Sequence, residues 1–223
     1  MTILHTADLF DFSRSLLGDA LRQTNYPWEI LPQLKELISA LGKQLPADEY
    51  DCPTEGVWIH KTAKVAPTAS VGAPCIICAE AEVRHCAFIR GSALVGRGAV
   101  VGNSTELKNA LLFDGVQVPH YNYVGDSVLG YKAHMGAGVI ASNFKGDHSN
   151  ITVKADSEQI PTGLRKMGAI LGDFADIGCN SVLCPGTVLG TGTRVYPLSR
   201  VRGVVKAYHI YKDANAIVER TDR

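Results

Sequence analysis

Every sixth residue from Ile59 onward is a branched aliphatic one: Ile59, Val65, Val71, Ile77, Val83, Ile89, Val95, Val101 and Leu107. If such residues make up roughly a quarter of a chain, nine in one register arise by chance about once in a few hundred thousand. Four residues after each of the first eight stands a small side chain: Ala63, Ala69, Cys75, Ala81, Ala87, Ala93, Ala99 and Thr105. A second block repeats the pattern at Leu171, Ile177, Leu183, Leu189, Val195 and Val201. Six is the period of neither a helix nor a strand. Three such units close a triangular coil of 18 residues, with branched residues filling the interior and small ones at the corners. Coils stack as parallel strands about 4.8 Å apart. The pattern therefore predicts a mainly β chain folded as a left-handed parallel β-helix, built from hexapeptide repeats.

The register bends between Leu107 and Ala141 but survives at Leu112, Val118, Val124, Leu129 and Met135, with two steps of only five residues. It disappears over residues 145–168, a polar stretch read as one long loop thrown out from a corner. Ahead of the repeat, residues 1–56 show helical apolar spacing at Leu9, Phe12, Leu16 and Leu21, and again at Ile30, Leu34, Leu37, Ile38 and Leu41. These predict a small N-terminal helical cap across the open end of the prism, because a solenoid's first coil needs covering. The division expected is a cap over 1–56, the β-helix over 57–205 and a C-terminal tail over 206–223.

Composition narrows the function. Lys and Arg number 22, Asp and Glu 22, so the formal charge is zero. A dedicated nucleic-acid binder or a polybasic membrane surface would be basic. No apolar run reaches the roughly 18 residues of a membrane span, and the first residues carry no secretory pattern. The six cysteines then fit reduced thiols in a cytoplasmic protein. Cys75 and Cys78 fall inside the repeat without a second pair, and no histidines are spaced as ligands, so no metal is expected.

Residues 18 apart lie on the same face of adjacent coils. Arg90 and Lys108 are so spaced, each directly after an inward residue (Ile89, Leu107), and form a candidate clamp for a phosphate. The alternative is a pair of solvated surface charges. Both are expected on the surface, where alanine at either position costs little stability. Glu106 lies near enough to balance a cation. His120, in VPHYNY, is a candidate base within the irregular zone.

The stretches VGNSTELKNALLF, VPHYNYVGDSVLGYKAHMGAGVIASNFKGD and TGLRKMGAILGDFADIGCNSVLCPG carry a resemblance over roughly residues 57–205. The first two resemble the acetyltransferase domain of the bifunctional UDP-N-acetylglucosamine pyrophosphorylase/glucosamine-1-phosphate N-acetyltransferases. The third is similar to the C-terminal domains of archaeal-type sugar-1-phosphate nucleotidylyltransferases. The resemblance implies acetyl transfer from acetyl-CoA to the amine of a hexosamine 1-phosphate. It implies that Arg90 and Lys108 bind the phosphate, that His120 is the base, and that Tyr123, Asn143 and His134 face the sugar. Ala137 would offer a backbone N–H to the thioester oxygen, and Cys179 and Pro197 fall at CoA-contacting positions. It also implies a homotrimer with shared sites. Four positions depart from the family: His134 replaces an asparagine, Phe144 a tyrosine, Cys179 a serine and Pro197 an alanine. Residues 1–56 carry no glycine-rich phosphate loop, so uridylyl transfer is not expected of this chain. Two alternatives stand beside the acetyltransferase: a non-catalytic sugar-phosphate or sugar-nucleotide binding module partnering a separate nucleotidylyltransferase, and an acetyltransferase for another acceptor.

Overall fold

The fold was obtained as a computed structural model and is described for residues 5–155 and 158–222. The hexapeptide register winds into a parallel β-helix of about eight turns. Its first face stacks Val57–His60, Cys75–Ile77 and Ala93–Val95, and later Ala169–Leu171, Thr187–Leu189 and Val204–Val205. The second face runs from Lys64–Val65 to His209–Asp213, and the third from Ser70–Val71 to Arg200–Val201. Inward residues stack on their equivalents: Ile77 pairs with Val95, Val83 with Val101 and Ile89 with Leu107. From Ile77 to Val201 these side chains are buried. Each contributes about 1.5–3 kcal/mol by leaving water.

The two five-residue steps have a structural meaning. Strands Glu106–Leu112 and Tyr123–Leu129 run straight from the third face into the first, merging the two faces into one sheet. With one residue fewer at each corner, the turn is made by Asn109 (φ +51°) and Asp126 (φ +47°) in the left-handed region. Asn and Asp enter that region more readily than other side chains.

The N-terminal segment is helical, with α1 at Gly18–Arg22, a 3₁₀ turn at Pro27–Gln33 and α2 at Leu34–Gly42. It does not cross the end of the prism as expected. It lies along the flank, with α2 against Cys75–Ile77, Ala93–Val95 and Glu106–Leu112, and the 3₁₀ turn against Tyr123–Leu129. The Asp11 N–H donates to Asp173 Oδ2 at 2.7 Å, and the Asp114 N–H to the Arg14 carbonyl at 3.0 Å. Meanwhile Ile59, Val65 and Val71 of the first coil stay only half-buried. The reason is an extra apolar column. The outward residues of the first face are Ile76, Leu94, Leu111, Val128, Ile170 and Val188, all buried, whereas the second face turns Lys64, Glu82, Gln117, His134 and Arg194 outward. One face of three must be covered, and the N-terminal segment covers its upper part.

Its lower part is covered from residues 145–168. That stretch is more than a polar loop: Thr152–Ala155 and Glu158–Pro161 form an antiparallel pair, with Ile151, Val153 and Met167 buried. Thr152–Ala155 rests on Thr187–Leu189 and Val204–Val205. At the far end the register continues beyond 205. Tyr211, six residues after Val205, is buried at the next inward position and its Oη donates to the Arg200 carbonyl at 2.8 Å. Among the described residues, no helix is long and apolar enough to cross a membrane.

Candidate active site

The edge between the second and third faces carries one straight column. His85, Asn103, His120, Ala137, Cys179 and Pro197 take the same corner position in successive coils. The following residues Ser104, Tyr121, Gly138, Asn180 and Leu198 are left-handed, with φ from +51° to +73°. Their N–H groups donate in turn to the carbonyls of His85, Asn103, His120, Ala137 and Cys179, at 2.8–3.3 Å. Coil spacing puts Ala137 about 5 Å and Pro197 about 14 Å from His120 along the edge. The His120 N–H donates to Asn122 Oδ1 at 3.1 Å, fixing the backbone. Its ring is exposed and has no partner among the described residues. The Ala137 N–H likewise donates to no acceptor among them. An unengaged imidazole thus stands one coil from an unengaged amide donor, on a ridge that continues through Cys179 to Pro197.

The edge between the third and first faces carries charge. Arg90 ion-pairs with Glu106 at 3.0 Å, about half exposed. Lys108 Nζ meets both carboxylate oxygens of Asp126, at 2.8 and 3.0 Å. Asp126 is buried and also accepts from Asn109 Nδ2 (2.9 Å) and Asn143 Nδ2 (2.6 Å). Asn143 Nδ2 lies 3.2 Å from Tyr123 Oη. Burial, chiefly, pushes the Tyr123 hydroxyl above its ordinary range. Arg90, Glu106, Lys108, Tyr123 and Asn143 therefore share one neighbourhood. Its centre, Asp126, is not among the residues singled out from the sequence, although it lies in the GDS tripeptide and 18 residues after Lys108.

Asp126 corrects one expectation. Lys108 is not a free surface charge, since it neutralises a buried carboxylate. Lys108→Ala leaves Asp126 with two amide donors and no cation, which costs about 2–4 kcal/mol of stability. Arg90→Ala removes an exposed pair and costs well under about 1 kcal/mol. Thermal melts should show a drop of several degrees for the first and almost none for the second. Equal melting temperatures would show that Asp126 does not depend on Lys108.

His134 stands apart from this neighbourhood. It projects from the second face, where its Nδ1 lies 2.8 Å from Asp176 Oδ1. The histidine holds the Asp176 carboxyl below its ordinary range. The pair lines a cavity of about 510 Å³ with Lys132, Phe174, Arg194 and Arg220. A larger cavity of about 620 Å³, between Leu16, Tyr50, His60, Cys78 and Arg97, contains none of the candidate catalytic, sugar-binding or CoA-binding residues. Among the described residues, no three His, Cys, Asp or Glu side chains are grouped to hold a metal ion.

Within one chain the two edges do not meet. His120 pairs with Asn103 and Lys108 with Gly125, so the full width of the third face separates them. Five residues of strand amount to roughly 15 Å.

No family model matches the chain. A bifunctional sugar-1-phosphate nucleotidylyltransferase/acetyltransferase of Sulfurisphaera tokodaii is 35% identical over 97 residues, 44% of this chain and 24% of that protein. The bifunctional protein GlmU of Methanococcus maripaludis is 26% identical over 174 residues, 76% of this chain and 42% of that protein. Among solved structures, the acetyltransferase domain of PglB from Neisseria gonorrhoeae, in complex with acetyl coenzyme A, is 18% identical. It covers 86% of this chain and 66% of that domain, with a TM-score of 0.34. The chain spans between a quarter and about two fifths of the length of the two curated relatives. Over that shared part, it is similar to a bifunctional sugar-1-phosphate nucleotidylyltransferase/acetyltransferase and to the bifunctional protein GlmU.

Proposed function

We propose that the chain is an acetyl-CoA-dependent N-acetyltransferase whose acceptor is a hexosamine 1-phosphate or a related sugar nucleotide. The observation that carries this reading is the column on the second–third edge. There the His120 ring, without a partner among the described residues, stands one coil from the Ala137 N–H, likewise without one, on the ridge that ends at Cys179 and Pro197. In the proposed reaction the acceptor amine attacks the thioester carbonyl while His120 takes its proton. The Ala137 N–H donates to the oxyanion, and on collapse the C–S bond breaks and the proton passes to the departing CoA thiolate. Arg90 and Lys108 hold the acceptor's phosphate, with Glu106 and Asp126 setting their positions, and Tyr123 and Asn143 lie beside the sugar. The name of one curated relative, a bifunctional sugar-1-phosphate nucleotidylyltransferase/acetyltransferase, supports acetyl transfer and a sugar-phosphate ligand.

The separation of the two edges supports a further part of it. The backbones at His120 and Lys108 of one chain stand roughly 15 Å apart, which leaves room for a second copy to complete the site. In a homotrimer, a neighbouring copy brings its third–first edge to the second–third edge, and His134 of the second face comes within reach of that junction. Tyr121 and Leu198, exposed on the same edge, offer the apolar contacts such packing uses. Analytical ultracentrifugation at micromolar concentration should give three times the chain mass. A monomer there would remove the shared site.

The reading itself is tested by purified protein, acetyl-CoA and a panel of amino sugars, their 1-phosphates and their nucleotide derivatives, following CoA release. Turnover confined to one acceptor class names the substrate. Tight binding of the phosphates without CoA release would replace the enzyme with a sugar-phosphate binding module.

A further inference from the structure

The N-terminal segment reaches the charged edge. Asn109 Nδ2 donates to the Leu31 carbonyl at 3.2 Å, tying the 3₁₀ turn to the corner beside Lys108. A cavity of about 410 Å³ opens at this junction, walled by Leu31 and Pro32 on one side and by Gly91 and Ser92 on the other. Three cations line it: Arg90 and Lys108 from the β-helix, and Lys35 from α2.

Charge decides what such a cavity can do. Arg90 is balanced by Glu106 and Lys108 by Asp126, so those four groups sum to zero. Lys35 is exposed, and its ammonium has no carboxylate partner among the described residues. It alone makes the neighbourhood net positive. We infer that Lys35 is a specificity-determining residue, giving the cavity its preference for a phosphate monoester over the diester phosphates of a nucleotide sugar. The inference rests on the reading above that this edge takes the acceptor's phosphate. A monoester concentrates close to two negative charges on one phosphorus at neutral pH, whereas each phosphorus of a sugar nucleotide's bridging diphosphate carries one. Three ammonium and guanidinium groups around one cavity match the concentrated charge. Lysine suits this task as a compact point charge with rotatable donors.

The test is titration calorimetry of the full chain with glucosamine 1-phosphate, UDP-glucosamine and unphosphorylated glucosamine. Wild type should bind the monoester more tightly than the other two. Lys35→Ala should weaken the monoester about 5- to 10-fold, the size of one charge-assisted contact, and leave glucosamine unchanged. Lys35→Arg should stay within about twofold of wild type. Lys43→Ala removes the same charge just past the end of the same helix but outside the cavity, and should change nothing. If Lys43→Ala weakens the monoester as much as Lys35→Ala, the effect is general electrostatics and the inference falls. If Arg90→Ala weakens it and Lys35→Ala does not, Lys35 has no part and the phosphate reading alone survives. If wild type binds the monoester no better than glucosamine, both fall together.

Discussion

Replacing His120 with alanine should lower kcat for acetyl transfer by roughly 10²–10⁴, the range expected for loss of a positioned general base. Hexosamine amines arrive partly protonated near neutrality, and histidine is the side chain whose ordinary ionisation falls there. His120 meets the geometric requirement: its ring is exposed, has no partner among the described residues, and stands one coil from the Ala137 amide. The rival is His134, which has a carboxylate at 2.8 Å to orient its ring but projects from a different face. His134→Asn should therefore cost less than about tenfold. Because His120 is exposed, its loss should move the melting temperature by no more than about 2 °C. If His134→Asn abolishes transfer while His120→Ala turns over at the wild-type rate, the oriented pair on the second face is the base and the column is not.

The inward register was legible because burial favours branched aliphatic side chains at that spacing, and from Ile77 to Val201 only two five-residue steps and the loop interrupt it. The covering of the first face is equally present in the residues, one position off that register. Ile76, Leu94, Leu111, Val128, Ile170 and Val188 each stand directly before an inward residue, where the other two faces hold mostly polar or charged groups. A six-residue period reports the inward side chains alone and is silent on that column, and with it on the reason the N-terminal segment runs down the flank. The path of that segment is fixed by partners remote in the sequence, such as Asp173 for the Asp11 N–H and Asp114 for the Arg14 carbonyl, which no local pattern announces. At the candidate site, spacing alone brought Arg90 and Lys108 together, because the coil between them keeps all 18 residues. It missed their resting partners. The coil from Lys108 to its paired residue, Gly125, is one residue short, so Asp126 lies just beyond the facing position and reaches Lys108 from a left-handed turn. Lys35 was hidden for the same reason as the flank: helical spacing locates its helix and leaves open what that helix lies against.

Gly102→Ala should be the most damaging single-methyl change in the molecule, costing roughly 4 kcal/mol or more. A Cβ on Gly102 would stand 1.6 Å from the Pro119 carbonyl oxygen and 2.0 Å from its carbonyl carbon. Both atoms belong to the backbone of the next coil, and coils held at about 4.8 Å by their ladder cannot part locally without losing hydrogen bonds on either side. The neighbouring Gly98 supplies the contrast. It has φ +64° but nothing within 4 Å of its would-be Cβ, so Gly98→Ala costs only the left-handed penalty of about 1–2 kcal/mol. A drop of about 10 °C or more is expected for Gly102→Ala, against a few degrees for Gly98→Ala, by differential scanning calorimetry. Pro119 directly precedes His120, so any Gly102→Ala protein that still folds displaces the candidate base. Its kcat should fall while Gly98→Ala keeps the wild-type value. Should Gly102→Ala melt and turn over like wild type, the coils at this corner are not held at ladder spacing. The straight alignment of His120 over Ala137, on which the proposed chemistry depends, would then be lost with it.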